Sequence, residues 1–320
     1  MTIIVNIILI GLILFFGGVR LTSYGIKHGN FEYFKELVDK IIKNEFIGII
    51  IGIILSIALN NSSLLAVSVL LLVNHKIITG RKAFGIIAGS TIALEILSSV
   101  KLGKVKYVAV LLGVALLLYI IIKCRKKIVN KKAIVSIALG YIIIIISLNL
   151  LKYGTASYIR SDCMYSVLVE YGDNFIVNIL VGIFLSGLSW NPYYIPGFMI
   201  TLTTVNILDI NASAQIMIGS CLGIIVPVIL SSIMLNKEVK KISCYYLLVE
   251  LLILICTIPM LGKYTEAVLR IYTNQAQQIC TLNFLIGITF VILILIFTFI
   301  FMITHKIIWK IRNKNNNIEL

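Results

Sequence analysis

Little in this sequence is typical of a soluble enzyme. Charged residues make up only 13% of the 320 residues, which leaves few side chains for acid–base chemistry. The six cysteines form no CxxC pair and have no metal-ligand spacing, and the chain contains no HExxH, GxSxG or P-loop motif. These absences argue against a metal centre, the nucleophile elbow of a hydrolase and a phosphate-binding loop. We therefore expect a protein that is not an enzyme and that carries no cofactor or structural metal.

The sequence also lacks the features of a cleaved leader. Residues 1–6 include no basic segment, and no small-residue cleavage site follows, so the first apolar run is predicted to remain as a span. Hydrophobic residues account for 60% of the chain and the mean hydropathy is +1.05, whereas a soluble domain is about 45–50% apolar. Several runs approach the ~20 residues that cross a bilayer as a helix. The predicted fold class is an all-α polytopic membrane protein.

The basic residues lie mainly in short segments between the apolar runs. A net charge of +15 would suggest nucleic-acid binding in a soluble protein, but Lys and Arg in short loops instead orient a membrane protein. The densest of these loops, residues 124–132, is predicted to be cytoplasmic, together with the basic C-terminal tail. The chain is then a multi-pass protein of the plasma membrane with its N-terminus outside. No nucleic-acid partner is expected.

Seven apolar segments are long enough to be full spans, and two further segments are predicted to be hairpins. The hairpins occupy residues 46–73 and 175–208, and each arm has only about 14–16 residues, fewer than a full crossing requires. Irregular backbone at membrane depth is tolerated where it lines a cavity, which favours re-entrant hairpins over pairs of crossings. The predicted spans are Ile3–Val19, Ala83–Val100, Lys106–Ile122, Ala133–Leu150, Ala212–Met234, Ile242–Met260 and Leu282–Thr304.

The two hairpin regions repeat each other at a fixed offset of 130 residues. Matching interrupted hydrophobic segments in the two halves of a membrane chain are the sequence sign of a secondary transporter. We predict two inverted repeats, residues 1–123 and 133–262, joined by the basic loop 124–132. Residues 263–320 then supply a linker, a last span and a cytoplasmic tail. The residues that match between the halves are Gly52/Gly182, Leu55/Leu185, Ser56/Ser186, Asn61/Asn191, Gly89/Gly219 and Ser90/Ser220.

Polar residues interrupt each hairpin, and a Gly-rich segment follows each interruption. The interruptions are Asn60-Asn61-Ser62-Ser63 and Trp190-Asn191-Pro192-Tyr193, and the Gly-rich segments are residues 85–91 and 215–221. This arrangement resembles the sodium/phosphate cotransporter family, whose two inverted repeats each carry a Gln-Ser-Ser-Ser-type break. The resemblance implies sodium-coupled uptake of inorganic phosphate by alternating access at the hairpin tips. Because some relatives carry a cytosolic helical domain, it also suggests a separate cytosolic regulatory protein as a partner.

Departures from the family pattern keep two other functions open. Asn60 replaces the Gln of the first break, and the second break keeps none of the serines. A non-transporting membrane scaffold or partner subunit could keep the fold without the site. The other alternative is a proton-coupled carrier of another small solute, in which Glu95 carries the proton.

Each break has two chemical interpretations. The first could simply cap a helix start, because Asn and Ser side chains accept hydrogen bonds from free N–H groups. It could also present those N–H groups to an anion, while the hydroxyls of Ser62, Ser63 and Thr91 bind sodium. The second break contains Pro192 beside Trp190 and two tyrosines. These aromatic residues could line a pocket for an organic solute or belong to an interfacial aromatic belt.

Glu95 lies inside a predicted span, where a carboxylate is costly and is a functional hypothesis by default. It shares a helix face with Thr91, so it could bind a cation, carry a proton, or form only a local hydrogen bond. Glu250, four residues after Tyr246, has fewer polar neighbours and is a weaker candidate. The predicted substrate- and ion-binding residues are Ser56, Asn60, Asn61, Ser62, Ser63, Ser90, Thr91, Glu95, Ser186, Asn191, Gln215 and Ser220.

Overall fold

The computed structural model describes residues 2–59, 61–99, 130–159, 161–189, 195–223 and 225–316. All regular secondary structure in these ranges is helical, as the sequence predicts. A helix satisfies its backbone hydrogen bonds locally, which an apolar chain in lipid requires. The helices are α1 (Thr2–His28), α2 (Glu32–Ile41), α3 (Glu45–Leu59), α4 (Ser62–Asn74), α5 (Gly80–Ser99), α6 (Lys131–Ile159), α7 (Asp162–Tyr171), α8 (Phe175–Ser189), α9 (Ile195–Thr204), α10 (Ile210–Gly223), α11 (Ile225–Ile233), α12 (Lys237–Thr257), α13 (Leu261–Ile271) and α14 (Gln275–Asn316).

In the part of the chain that the structure describes, five helical segments are long and apolar enough to cross a membrane, and they match five of the seven predicted spans. The predicted span Ala83–Val100 forms most of α5, which is not among the five, and Lys106–Ile122 lies outside the described residues. Helices α4, α8 and α9 are apolar but shorter than a full crossing requires. The five segments are Thr2–His28, Lys131–Tyr158, Ile210–Ile233, Lys237–Ile271 and Gln275–Ile300.

The sequence also predicts an amphiphilic, interfacial stretch before each hairpin, at residues 20–43 and 152–173. Each of these stretches is divided between two helices. Helix α1 continues to His28 and α6 to Ile159, so only the ten-residue helices α2 and α7 remain separate. Helix α2 buries Leu37 and Val38 while its charged residues are mostly exposed, which is the pattern of an amphipathic helix. The chain bends by 102° between α2 and α3. This bend separates the amphipathic segment from the apolar hairpin arm.

Helices α1 and α6 pack against each other in antiparallel directions. Along their contact, residue numbers rise in α1 as they fall in α6. Glycine at the contact removes the side chain that would hold the backbones apart, and a Cβ at Gly140 would overlap the hydroxyl of Thr22. This pair joins the two halves of the chain. The contacting pairs include Gly11 with Leu151, Gly18 with Ile144, and Gly25 with Ile137.

The first arm of each hairpin packs in parallel against the helix that follows the hairpin. In the first half these are α3 and α5, and in the second half they are α8 and α10. Glycines permit close backbone contact between these helices, and a Cβ at such a glycine would overlap a carbonyl of the neighbouring helix. Two of these contacts in the second half repeat two of the first half at the offset of 130. They are Gly52 with the Ile86 carbonyl, Gly89 with that of Ile49, Gly182 with that of Ile216, and Gly219 with that of Ile179.

The turns that end the two hairpins also have the same backbone geometry. Lys76 follows α4 with φ of 58°, and Asn206 follows α9 with φ of 56°. In each turn the next amide donates to the carbonyl oxygen five residues earlier, at 2.9 Å in the first and 3.0 Å in the second. The helix contacts and the turn geometry therefore recur at the same offset of 130 residues.

Candidate functional site

The first break separates α3 from α4, and the residues around it have different roles. Asn60 lies outside the described residues. Asn61 is the N-cap of α4, since its Oδ1 accepts a hydrogen bond from the Leu64 amide at 2.9 Å. Ser62 and Ser63 begin the helix and are buried, and Ser62 Oγ has no hydrogen-bond partner among the described residues. The capping interpretation therefore applies to Asn61, whereas the Ser62 hydroxyl remains available to a ligand.

Four predicted serines lie in pairs where a hairpin arm meets the following helix. Ser56 Oγ donates to the Ser90 carbonyl at 3.3 Å, and Ser186 Oγ donates to the Ser220 carbonyl at 2.5 Å. The hydroxyls of Ser90 and Ser220 donate to carbonyls one turn earlier in their own helices. The hydrogen bonds from Ser56 and Ser186 hold the helices together. All four hydroxyl oxygens keep lone pairs that can accept a further contact. The structure thus places these serines together in each half.

A polar cluster lies where α5, α10 and α12 meet. Thr91 of α5 forms a hydrogen bond with the hydroxyl of Tyr246 of α12, and both residues are buried. One turn further along α5, Glu95 accepts a hydrogen bond from the Cys221 thiol of α10 and interacts electrostatically with Glu250 of α12. The described residues include no group of three His, Cys, Asp or Glu side chains placed to hold a metal ion. This cluster can exchange protons or contact a monovalent ion.

Three members of this cluster, Cys221, Tyr246 and Glu250, are not among the predicted site residues. Tyr246 and Glu250 are four residues apart and share one face of α12, which is a helical signal visible in the sequence. Their approach to Thr91 and Glu95 depends on a contact across more than 150 residues of chain. Cys221 follows Ser220 in the second Gly-rich segment, but an isolated cysteine more often packs as a small apolar residue.

Gln215 lies in a helix contact away from the other predicted residues of its half. Its Oε1 accepts a hydrogen bond from Asn178 Nδ2 at 2.8 Å, and the same amide donates to the Gly172 carbonyl. At the offset of 130, the corresponding residues in the first half are Gly85 and Gly48. A close backbone approach in one repeat is thus replaced by a side-chain hydrogen bond in the other. The only hydrogen bond of the Gln215 side chain in the described residues therefore joins α8 to α10.

We expect Gln215→Ala and Asn178→Ala to lower the stability of the folded protein non-additively. Each change leaves a buried or partly buried amide without its partner, at about 1–3 kcal/mol. The double variant should cost less than the sum of the two single changes by about 1 kcal/mol. Thermal unfolding of the purified protein in detergent measures this coupling. Asn149→Ala, which removes an exposed asparagine from α6, is the control. Additive losses, or lost transport with unchanged stability, would contradict this structural role.

The second break falls between α8 and α9. Asn191 and the aromatic residues around it lie outside the described residues. Helix α9 starts at Ile195, so Pro196 occupies its first turn, where the missing N–H removes no helical hydrogen bond. The aromatic-pocket and aromatic-belt interpretations both remain predictions.

A separate polar network at the end of α4 ties three helices together. His75 hydrogen-bonds to Ser23 of α1 at 3.0 Å, and Asn74 accepts a hydrogen bond from the Asn236 amide at the start of α12 at 2.9 Å. Partial burial, with the nearby positive charge of Lys27, lowers the pKa of the His75 imidazole. His75 is therefore neutral at pH 7 and has a structural role.

One comparison with known proteins finds a match to a family model over less than half of the chain. Residues 14–153 match the family model described as Na+/Pi-cotransporter. The match begins within α1 and ends within α6, so it includes the first hairpin and its Gly-rich helix. No curated protein and no solved structure matches the chain. The resemblance predicted from the first interrupted hairpin is confirmed over these residues, and the apolar helices with this match support an integral membrane protein.

Proposed function

From the match of residues 14–153 to the Na+/Pi-cotransporters, we propose that this chain is a secondary transporter that carries inorganic phosphate together with sodium. The observation that supports this most directly is the buried Ser62 hydroxyl at the start of α4, which has no hydrogen-bond partner in the described part of the chain. A buried polar group without a partner is unfavourable unless a ligand or water satisfies it. A helix start with a free hydroxyl is suited to an anion.

In this proposal the first hairpin supplies most of the binding groups. The amides at the start of α4 and the Ser62 hydroxyl face the phosphate, where the positive end of the helix dipole also acts. The hydroxyls of Ser62, Ser63 and Thr91 offer hard oxygen ligands for sodium. Ser186, Ser220 and the undescribed Asn191 would supply the matching groups from the second half. The sequence assigns Asn60 to the same site.

The proposed repeats are inverted with respect to each other. The antiparallel packing of α1 and α6, together with helix contacts that recur at an offset of 130 residues, supports a pseudo-two-fold axis in the membrane plane. The short arms α4, α8 and α9 support re-entrant hairpins over full crossings. Alternating access would then move one repeat against the other around the hairpin tips. The basic loop 124–132 and the positive-inside rule place the C-terminus in the cytoplasm of a plasma-membrane protein with its N-terminus outside.

Uptake of radiolabelled phosphate into proteoliposomes tests this function. We expect an inward sodium gradient to drive accumulation of phosphate above the level reached with equal sodium on both sides. Liposomes without protein, and a choline gradient in place of sodium, are the controls. Correctly folded protein that moves no phosphate under either gradient would reject the proposal and favour a non-transporting scaffold or partner subunit.

A further inference from the structure

A positively charged cavity lies where the end of α1, the start of α2 and the turn after α4 meet. Its volume is about 290 Å³. Lys27 lines it from α1, Lys35 from α2 and Lys76 from the turn, and Glu32 is the only acidic residue among the described residues that line it. The wall therefore carries three positive charges and one negative charge.

The three lysines of this cavity have no acidic partner in the described part of the chain. Lys82 is paired with Asp39 at 2.7 Å, whereas Lys27, Lys35 and Lys76 form no ion pair with a described residue. The sequence outside the described ranges contains a single acidic residue, Glu319, and residues 100–129 contain none. The positive charge of the cavity is therefore not neutralised by a neighbouring carboxylate of the described protein.

The start of α2 adds to the positive potential. Its N-cap residue is Phe31, which has no side-chain group to cap the helix, and Asn30 accepts a hydrogen bond from the Glu32 amide at 3.4 Å. The first turn of a helix carries a partial positive charge. Phe31 also forms an apolar wall of the cavity together with Ile26 and Ile77. The cavity thus places positive charge beside an apolar surface.

The second half of the chain has the same turn without this charge. At the offset of 130 residues, the three lysines correspond to Ser157, Tyr165 and Asn206. Lys76 and Asn206 share a left-handed backbone, with φ of 58° and 56°. Asn is enriched in this conformation and Lys is not, so the turn geometry does not explain a lysine at position 76. The positive charge belongs to the first half alone and is not a requirement of the fold.

The cavity lies beside the helix that is predicted to follow the membrane surface. Helix α2 is amphipathic, and the chain bends by 102° before it enters the apolar helix α3. The positive-inside prediction places this end of α1 on the cytoplasmic side, where anionic lipids give the membrane a negative surface. Basic pockets between helices on that side bind the phosphate head groups of lipids.

We propose that this cavity binds a phosphomonoester group, which is presented by a membrane lipid or by a free phosphate compound. Such a group carries a charge of about −1.5 to −2 at pH 7 and three strong acceptor oxygens. Three lysines and one glutamate give the wall a net charge of +2, which matches that group. The ammonium groups would donate to the phosphate oxygens, while Phe31 and Ile77 would contact the apolar part of a lipid.

This site is separate from the proposed transport site and does not depend on it. Helix α4 begins at Ser62 and ends at Asn74 beside the cavity, so about 18 Å of helix separates the two places. His75 also lines the cavity and hydrogen-bonds to Ser23 of α1, while Asn74 accepts a hydrogen bond from the Asn236 amide of α12. A bound phosphate group would therefore contact the network that ties the end of the first hairpin to α1 and α12.

Titration of the full-length protein in detergent with dioleoyl phosphatidic acid, followed by native mass spectrometry, tests the site. We expect the Kd to rise about ten- to thirtyfold in Lys35→Gln/Lys76→Gln, because two charges near the phosphate are lost. Lys35→Arg/Lys76→Arg keeps both charges and should bind the lipid as the wild type does. No difference between the wild type and the Gln double variant would overturn the proposal.

A charge-matched control separates the cavity from the overall charge of the protein. Lys240→Gln/Lys241→Gln removes two exposed lysines of α12 that do not line the cavity. This control should bind phosphatidic acid as the wild type does, and an equal loss in both Gln double variants would overturn the site. Phosphatidylglycerol, whose phosphodiester carries one charge, should bind more weakly. Equal affinity for the two lipids would overturn the assignment to a phosphomonoester.

Competition with inorganic phosphate distinguishes the two sources of the phosphate group. Displacement of the bound phosphatidic acid by millimolar inorganic phosphate supports a site for free phosphate compounds, and resistance to displacement supports a lipid site. Because lipid binding is the readout, the result does not require transport. A protein that binds the lipid but takes up no phosphate would reject the proposed transport function and leave this site in place.

Discussion

Ser62→Ala should lower sodium-driven phosphate uptake by about ten- to a hundredfold while leaving the protein folded. A hydrogen bond to a charged ligand contributes about 1.5–3 kcal/mol, and removal of the hydroxyl takes that contribution away. The stability of the free protein should not fall, because Ser62 Oγ has no partner in the described residues that the change would leave unsatisfied. Uptake into proteoliposomes, with thermal unfolding of the same preparation, measures both effects.

Ser147→Ala is the matched control for this change. Ser147 of α6 is also buried, and its hydroxyl also has no partner among the described residues, but it lies outside both hairpins. Both substitutions replace a buried helical serine with alanine, so each removes only a hydroxyl group. Uptake should fall in the Ser62 variant alone. An equal fall in both variants would mean that the loss follows from packing, and unchanged uptake in both would remove Ser62 from the site.

Gly89→Ala should lower the apparent melting temperature by about 5–10 °C, the shift expected of roughly 3 kcal/mol of overpacking. A Cβ at Gly89 would overlap the Ile49 carbonyl of the neighbouring helix α3. The overlapped atom belongs to the backbone, so no side-chain rotation relieves the clash and the two helices must separate. Gly219→Ala should have a similar effect, since its Cβ would meet the Ile179 carbonyl in the second half.

Gly17→Ala separates the effect of helix contact from that of helix propensity. Gly17 of α1 has no atom within 4 Å of the position that a Cβ would take. The same substitution there should leave stability unchanged or raise it by up to about 1 kcal/mol, because Ala favours the helix. If Gly89→Ala and Gly17→Ala melt at the same temperature, α3 and α5 are not in the close contact described above.

The features that depend on local pattern could be predicted from the sequence. Apolar length predicted five of the membrane helices, and the 130-residue offset paired Gly52 with Gly182, which make equivalent contacts in the structure. The polar break before Ser62 predicted the start of α4. Such features depend on residues close in sequence or on a visible internal repeat. The resemblance to sodium/phosphate cotransporters depended on the same local motifs.

The features that depend on packing between distant segments could not be predicted in this way. The amphiphilic stretch after residue 20 gave no sign that α1 would continue through Arg20 to His28, because the α6 partner that supports this length is far away in sequence. The hydrogen bond between Gln215 and Asn178 likewise becomes visible only once α8 and α10 are side by side. The sequence makes Glu250 only a weak candidate, because its interaction with Glu95 depends on how α12 packs against α5. In each of these cases the contact forms only when helices that are far apart in the sequence pack together.

The contact between α1 and α6 has a consequence for how such a chain could have arisen. Corresponding helices from the two halves meet there face to face in opposite directions, so each contributes the equivalent surface, as the subunits of an isologous dimer do. Two copies of a half-length ancestor, inserted in opposite orientations, would make this contact without any new surface. Duplication and fusion of its gene would then fix the pairing permanently. The two copies would afterwards be free to diverge, so that one break keeps its serines and the other acquires proline and tryptophan.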